Sequence, residues 1–257
     1  MLTTKQEEQL NIIISNSLDD AERHWKNGGY LLQKSAQDER MFESANSSME
    51  SFIPGHELVD ESVTTIDEFI ALVLDMRDSS KHLMSHISAK VSKITMLQRV
   101  YYETSALLPA MAFIISCEGG SVTEYLGDGL LALFKVNSES SKDSIYSSHR
   151  AAKQCLSTGL TAVNDALEHR HSLPPIQIGI GMAQSKALVT LIGLFPQKQA
   201  KAFGECVFRA TKLSNGINQI AIDKTLKGKW PSSKGGSLKF LPKKVKGETQ
   251  GYIISNN

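Results

Sequence analysis

The stretch Glu118-Gly119-Gly120-Ser121-Val122-Thr123-Glu124-Tyr125-Leu126-Gly127-Asp128-Gly129-Leu130-Leu131-Ala132-Leu133-Phe134 decides the fold. Gly119-Gly120 stops the helical pattern before it, as glycines past a helix end do. Gly127-Asp128-Gly129, set between two strand-like runs, has the chemistry of a tight hairpin. A second run, Phe69-Ile70-Ala71-Leu72-Val73-Leu74-Asp75, also ends on a carboxylate and continues Met76-Arg77-Asp78-Ser79-Ser80. A carboxylate where a buried strand meets a turn is poorly placed for packing and well placed for a hard cation. Two of them suit two Mg²⁺ ions, around which phosphoryl chemistry is largely positioning and charge neutralisation. The plainer alternatives are a turn-forming Asp128 and an Asp75 that caps a helix.

Outward from these runs the chain alternates strand and helix from about residue 66. A strand is expected at 68–75 and a helix at 87–117, where Val91, Ile94, Leu97, Val100, Tyr101, Leu107, Leu108, Met111 and Ile115 fall at helical spacing. The hairpin follows, then a helix at 143–167. Pro174-Pro175 breaks the chain before a strand in Ile176–Met182, and Ala187–Gly193 reads as another. A loop leads to a helix at 205–214, and short strands near 219–222 and 250–254 close the chain. The order β-α-β-β-α-β is ferredoxin-like, an α+β class, with elements added at the C-terminal end.

Residues 1–60 read differently. They are rich in Gln, Glu, Asn and Ser, helix-permissive over Lys5–Ile14 and Leu18–Trp25, and broken at Gly28-Gly29. They are expected to form a helical extension and linker ahead of a main domain at 61–257, packed on that domain or on a second copy, with a loosely ordered tail as the alternative.

The 257 residues carry 28 Lys and Arg against 27 Asp and Glu, so the net charge of +1 points to neither nucleic acid nor an anionic membrane. The apolar stretch Ala106–Ile115, interrupted by Pro109, reads as a buried helix, and no membrane insertion is expected. No basic-then-apolar leader is read at the N-terminus. Cys117, Cys155 and Cys206 lack metal spacing, and their odd number argues against a disulfide framework, as expected of a cytoplasmic protein. His82 and His86, four residues apart, read as an exposed helix start rather than a zinc site. Gly179-Ile180-Gly181 lacks the third glycine of a dinucleotide fingerprint.

The Asp75 strand, Thr123 to Phe134, Ile178-Gly179-Ile180-Gly181 and Phe203-Gly204-Glu205-Cys206-Val207-Phe208-Arg209-Ala210-Thr211-Lys212-Leu213 resemble, in order, the signature segments of the class III adenylate and guanylate cyclases. Val245-Lys246-Gly247-Glu248 to Tyr252 is similar to that family's last strand. More narrowly, Val100-Tyr101-Tyr102-Glu103-Thr104-Ser105-Ala106-Leu107-Leu108-Pro109-Ala110 and Tyr125-Leu126-Gly127-Asp128-Gly129 resemble the pyrimidine cyclases of the Pycsar antiphage system. That resemblance implies conversion of CTP or UTP to cCMP or cUMP and pyrophosphate, read by a separate effector protein. The other readings are a guanylate or adenylate cyclase and a catalytically degenerate nucleotide-sensing dimer.

The resemblance also assigns residues. Asp75, Asp128 and the Met76 carbonyl would hold two Mg²⁺ or Mn²⁺ ions, and Asp78, Ser79 and Ser80 would lie against phosphate. Glu124 and Lys201 would read the base, and Lys246 would bind the triphosphate. Phe208 and Lys212 stand where the family has Asn and Arg, which orient the ribose and neutralise charge at the α-phosphate. Lys212 keeps a positive charge without the bidentate fork, Phe208 can only stack, and Arg209 is the alternative cation one residue along. The family works as a homodimer with shared active sites, so the same is expected here.

Overall fold

The computed structural model describes residues 1–27, 49–60, 63, 65–84, 94–137, 140–194, 197–231, 236–244 and 250–256. Everything is arranged about β3 (Thr65–Met76), whose residues from Phe69 to Leu74 are all buried. An unbroken apolar run of this kind suits a central strand covered on both faces. On one side it pairs antiparallel with β5 (Gly129–Lys135), itself paired with β4 (Ser121–Leu126) across the Gly127-Asp128 turn. On the other side it pairs antiparallel with β6 (Ile178–Ile192). The sheet continues through β8 (Gln219–Asp223), β10 (Gln250–Asn256) and β9 (Leu238–Lys244), while β7 (Gln199–Gly204) folds back on the far half of β6. The pair β1 (Met49–Glu50) and β2 (Leu58–Val59) stands apart. The β-α-β-β-α-β core and its C-terminal additions follow the expected order.

Alternation sends Ile70, Leu72, Leu74 and Met76 to one face and Phe69, Ala71, Val73 and hence Asp75 to the other. The first face is covered by α3 (Met96–Cys117) and by a helix that runs as α4 (Ser141–Gln154), a π-turn at Cys155–Gly159 and α5 (Leu160–His171). The second is covered by α6 (Glu205–Leu213) and by Ile53 and Val59. Short helices α2 (Ser79–Met84) and α7 (Lys224–Lys229) follow β3 and β8. Each fully buried Leu, Ile or Phe contributes roughly 1.5–3 kcal/mol relative to exposure.

The N-terminal extension is one helix, α1 (Thr4–Asn27), laid on α3. Leu10, Ile14, Leu18, Ala21 and Trp25 are its buried stripe and join the same core as the sheet. Arg170 of α5 fastens it, donating to Asp19 at 2.6 Å, Glu22 at 3.2 Å and Ser15 at 2.7 Å. The break expected at Gly28-Gly29 lies outside the described residues.

Several boundaries move. The strands expected at 176–182 and 187–193 are one strand, β6, because Gln184 is buried and donates to Glu68 at 3.2 Å rather than breaking the ladder. The helix expected from 87 starts at Met96, where Thr95 and Gln98 form a reciprocal capping box; residues 85–93, with His86 and Val91, lie outside the described set. The stretch before residue 205, expected as a loop, contains β7, and β9 was not expected. Helix α3 contains the stretch Ala106–Ile115 read as a buried helix, and by length and composition it would be long and apolar enough to cross a bilayer. It instead buries Tyr102, Leu107, Met111 and Ile114 in the core, together with Arg99 and Glu103 paired at 2.7 Å.

Candidate active site

Asp75 ends β3 in a gap made by glycines. In register it faces Gly129 on β5 and Gly179 on β6. A Cβ on Gly129 would sit 2.5 Å from the Leu74 carbonyl oxygen and 3.4 Å from Asp75 Oδ1; one on Gly179 would sit 2.0 Å from the Ser214 carbonyl oxygen. Both positions therefore require glycine, and the carboxylate is left partly exposed. Asp128 is brought alongside by its turn, whose carbonyl accepts from the Met76 N–H at 3.3 Å. Thus the turn sets Asp128 beside Asp75 and Met76.

The turn after β3 is tight. The Arg77 N–H donates to the Gln177 carbonyl at 2.7 Å, Asp78 takes the left-handed conformation (φ 61°), and its carbonyl accepts from Lys81 and His82. The Asp78 carboxylate is engaged by Lys81 at 2.6 Å, and that hydrogen bond holds its pKa below the ordinary value. Ser79 and Ser80 open α2 beside it. His82 is not exposed as expected: its Nδ1 lies 2.8 Å from the fully buried Glu103, which ties α2 to α3.

Among the described residues no three Asp, Glu, His or Cys side chains converge as a metal site. That fits a hard ion better than zinc: Mg²⁺ typically takes one or two carboxylates, a carbonyl, water and substrate phosphate. The Arg77 guanidinium rests on Asp75, with the charges of Asp128 and Asp78 also acting on it. Sequence reading passed over Arg77, although a cation between two aspartates is itself a signal.

The residues expected to read the base meet elsewhere. Glu124 on β4 and Lys201 on β7 pair at 2.7 Å. They line a cavity of about 480 Å³ with Thr123, Tyr125, Gln199 and the Ser51-Phe52-Ile53 segment. Ile53 is a buried plug in the second face of the sheet, and it holds Phe52 outward, 78% exposed, near Tyr125, 59% exposed. Nearby, Asp67 accepts from Lys135 at 2.6 Å and from His56 at 3.1 Å, fixing the same segment. Phe52 was missed because it lies outside the cyclase-like motifs. Neither Asp75 nor Asp128 lines this cavity.

On α6, Phe208 is 54% exposed and meets Phe203 edge to face at 5.5 Å, and Lys212 is exposed. Arg209 is turned away, donating to Asp223 at 3.1 Å and to Thr225 at 3.3 Å, and pairing with Glu205. Lys246 lies outside the described residues. Trp230 and Phe240 pack on each other at 5.3 Å. A larger groove of about 790 Å³ is the seam between α1 and α5 and contains none of these residues.

No protein-family model matches the chain, and no curated protein does. Solved structures do. The guanylyl cyclase Cya2 is 20% identical with a TM-score of 0.59, over 75% of this chain and 93% of that one. The adenylyl cyclase CyaB from P. aeruginosa is 15% identical with a TM-score of 0.60, over 76% of this chain and 97% of that one. The chain has the class III nucleotidyl cyclase fold. A class III adenylyl cyclase-like ATP-binding protein from Pseudomonas aeruginosa shares it at 15% identity and a TM-score of 0.58, over 82% of this chain and 43% of that one.

Proposed function

We propose that this protein is a class III nucleotidyl cyclase that converts CTP or UTP into the 3′,5′-cyclic monophosphate and pyrophosphate. The observation that carries the cyclase reading is the meeting of Asp75, Met76 and Asp128 at the ends of β3 and the β4–β5 hairpin, in the fold shared with guanylyl and adenylyl cyclases. Mg²⁺ or Mn²⁺ held by Asp75, Asp128 and the Met76 carbonyl would acidify the 3′-hydroxyl and neutralise the triphosphate. The 3′-oxygen bonds to the α-phosphorus as the bond to the departing pyrophosphate breaks. Asp78, Ser79 and Ser80 border the phosphates, with Lys246 as a further phosphate ligand. Lys212 supplies positive charge at the α-phosphate, and Phe208 packs on ribose or base. Because Arg209 is held by Asp223, Thr225 and Glu205, Lys212 is the better placed of the two cations.

The pyrimidine reading rests on the Glu124–Lys201 pair. An acceptor sits beside a cation, where Glu124 suits an exocyclic amino group such as cytosine N4 and Lys201 a pyrimidine O2 carbonyl. A homodimer is supported by the separation of the base cavity from Asp75 and Asp128 and by the exposed Tyr125, Leu126, Ile192, Phe203 and Phe208, an apolar surface of the kind that marks interfaces. Each active site would join the carboxylates of one copy to Glu124, Lys201, Phe208 and Lys212 of the other. We place the enzyme in the cytoplasm, signalling to a separate effector in antiphage defence.

A second reading is a nucleotide-sensing dimer, favoured by Phe208 and by the fold's occurrence in an ATP-binding protein. One assay separates the two: purified protein with equimolar ATP, GTP, CTP and UTP plus Mn²⁺, with Asp75→Ala alongside, read by mass spectrometry. A single cyclic pyrimidine nucleotide, absent from the variant, is expected. A cyclic purine would overturn the pyrimidine and antiphage readings. No product, with nucleotide bound, would favour the sensing dimer.

A further inference from the structure

The metal carboxylates already have a cation, and the chain supplies it. Arg77 is fixed through its backbone N–H to the Gln177 carbonyl. Its side chain turns inward, 17% exposed, and its guanidinium rests on Asp75. Asp75 is the carboxylate it touches, and Asp128 and Asp78 are near enough for their charges to act on it. The Arg77 Nε is buried and has no hydrogen-bond partner among the described residues.

A guanidinium has five N–H donors in a fixed fork and is best satisfied by carboxylate or phosphate oxygens on both prongs. Leaving a buried donor unmet carries the full desolvation cost of that group. The Arg77–Asp75 pair is therefore an incomplete arrangement. The guanidinium also sits on Asp75 Oδ2, one of the oxygens a divalent ion would use, so it and the ion compete for that carboxylate. On β9, Lys243 Nζ donates to the Leu213 carbonyl at 3.3 Å, and burial first, then the charge of Arg77, lowers its pKa.

We propose that Arg77 is a tethered counter-ion of the metal carboxylates, which yields Asp75 to the divalent ion when nucleotide arrives and takes an oxygen of the triphosphate instead. This deepens the cyclase reading and rests on its assignment of Asp75. The consequence is thermodynamic coupling. Metal alone must expel a covalently held competitor, whereas metal with nucleotide gives that competitor a better partner, so each tightens the other by the same factor.

The test is Mn²⁺ affinity of the whole chain, measured by the electron paramagnetic resonance of the free ion. It is run without nucleotide and with 3′-deoxy-CTP, which lacks the attacking hydroxyl. Arg77→Ala should bind Mn²⁺ about tenfold tighter than the unaltered protein without nucleotide, and should lose most of the tightening that 3′-deoxy-CTP provides. Arg77→Gln, closer in size, serves should the alanine variant not fold. Equal or weaker Mn²⁺ binding by the variants overturns the proposal while leaving the metal site standing. Binding that Asp75→Ala does not weaken, or no binding at all, removes the metal reading and this inference with it.

Discussion

The carboxylate end of the candidate site and the end proposed to read the base are built by opposite means. Asp75 stands at the end of a strand buried on both faces, between two positions that only glycine can fill. Glu124, Lys201, Phe208 and Lys212 sit on a hairpin arm, a folded-back strand and the outer side of a helix, with exposed aromatics around them. The first end would handle the triphosphate, which is the same in every nucleotide; the second would handle the base, which is not. A fold arranged in this way keeps its chemistry where the core is rigid and varies its substrate where side chains can change without disturbing packing.

The contrast is broken most directly at the carboxylates. Asp75→Ala or Asp128→Ala should lower cyclic-nucleotide formation by more than about 10³-fold whichever triphosphate is offered. A loss confined to one nucleotide would show that this end also selects the base. Mixing Asp75→Ala with Lys212→Ala subunits should restore part of the activity, because one of the two mixed sites is then intact. If the mixture is as inactive as each parent, the two ends do not meet across a dimer.

At the other end, Glu124→Lys should shift the ratio of products among the four triphosphates by about 100-fold while leaving Mn²⁺ affinity unchanged, since two like charges then face the base. An unchanged product ratio would remove Glu124 from base reading. Between these ends lies a control in neither. His149 on α4 is held down to about pKa 4 by burial first, then by Lys153 and Arg150, against an ordinary 6.5. The unfolded chain therefore binds the extra proton between pH 6.5 and 4, so stability is complete above 6.5 and falls as the pH drops through that window. About 2 kcal/mol should be lost by pH 5, read from urea midpoints. His149→Phe, which keeps a ring against Trp230, should flatten that decline; an equally steep curve would place the pH sensitivity elsewhere. The smallest effect is expected from Phe208→Asn, a few-fold change in rate, with CTP and UTP affected alike.

What could be read from the chain follows the same division. Phe69 to Asp75 and Gly127-Asp128-Gly129 were legible because an unbroken apolar run and a glycine-flanked turn are local signals, and the helix at 205–214 was placed within one residue. The single strand β6 was not legible, because Gln184 and Ser185 look like a break until Glu68 is seen to receive the Gln184 amide. Strand β9 was hidden by its lysines and Pro242, which suit the edge position it takes. The start of α3 was available in Thr95 and Gln98 and was passed over. Arg77 and Phe52 belong to a different kind of miss: their significance comes from what faces them across the fold.

Helix α1 bears on how this protein can be handled. Leu10, Ile14, Leu18 and Trp25 lie against α3 in the same core that supports the sheet, and Arg170 holds acidic partners on that helix. Trimming the chain to its cyclase-like portion would strip a wall from the building, leaving Tyr101 and its neighbours on α3 as a bare greasy ledge. Tags and reporters belong ahead of Met1, and a shortened version that aggregates would be announcing a missing helix, not a failed enzyme.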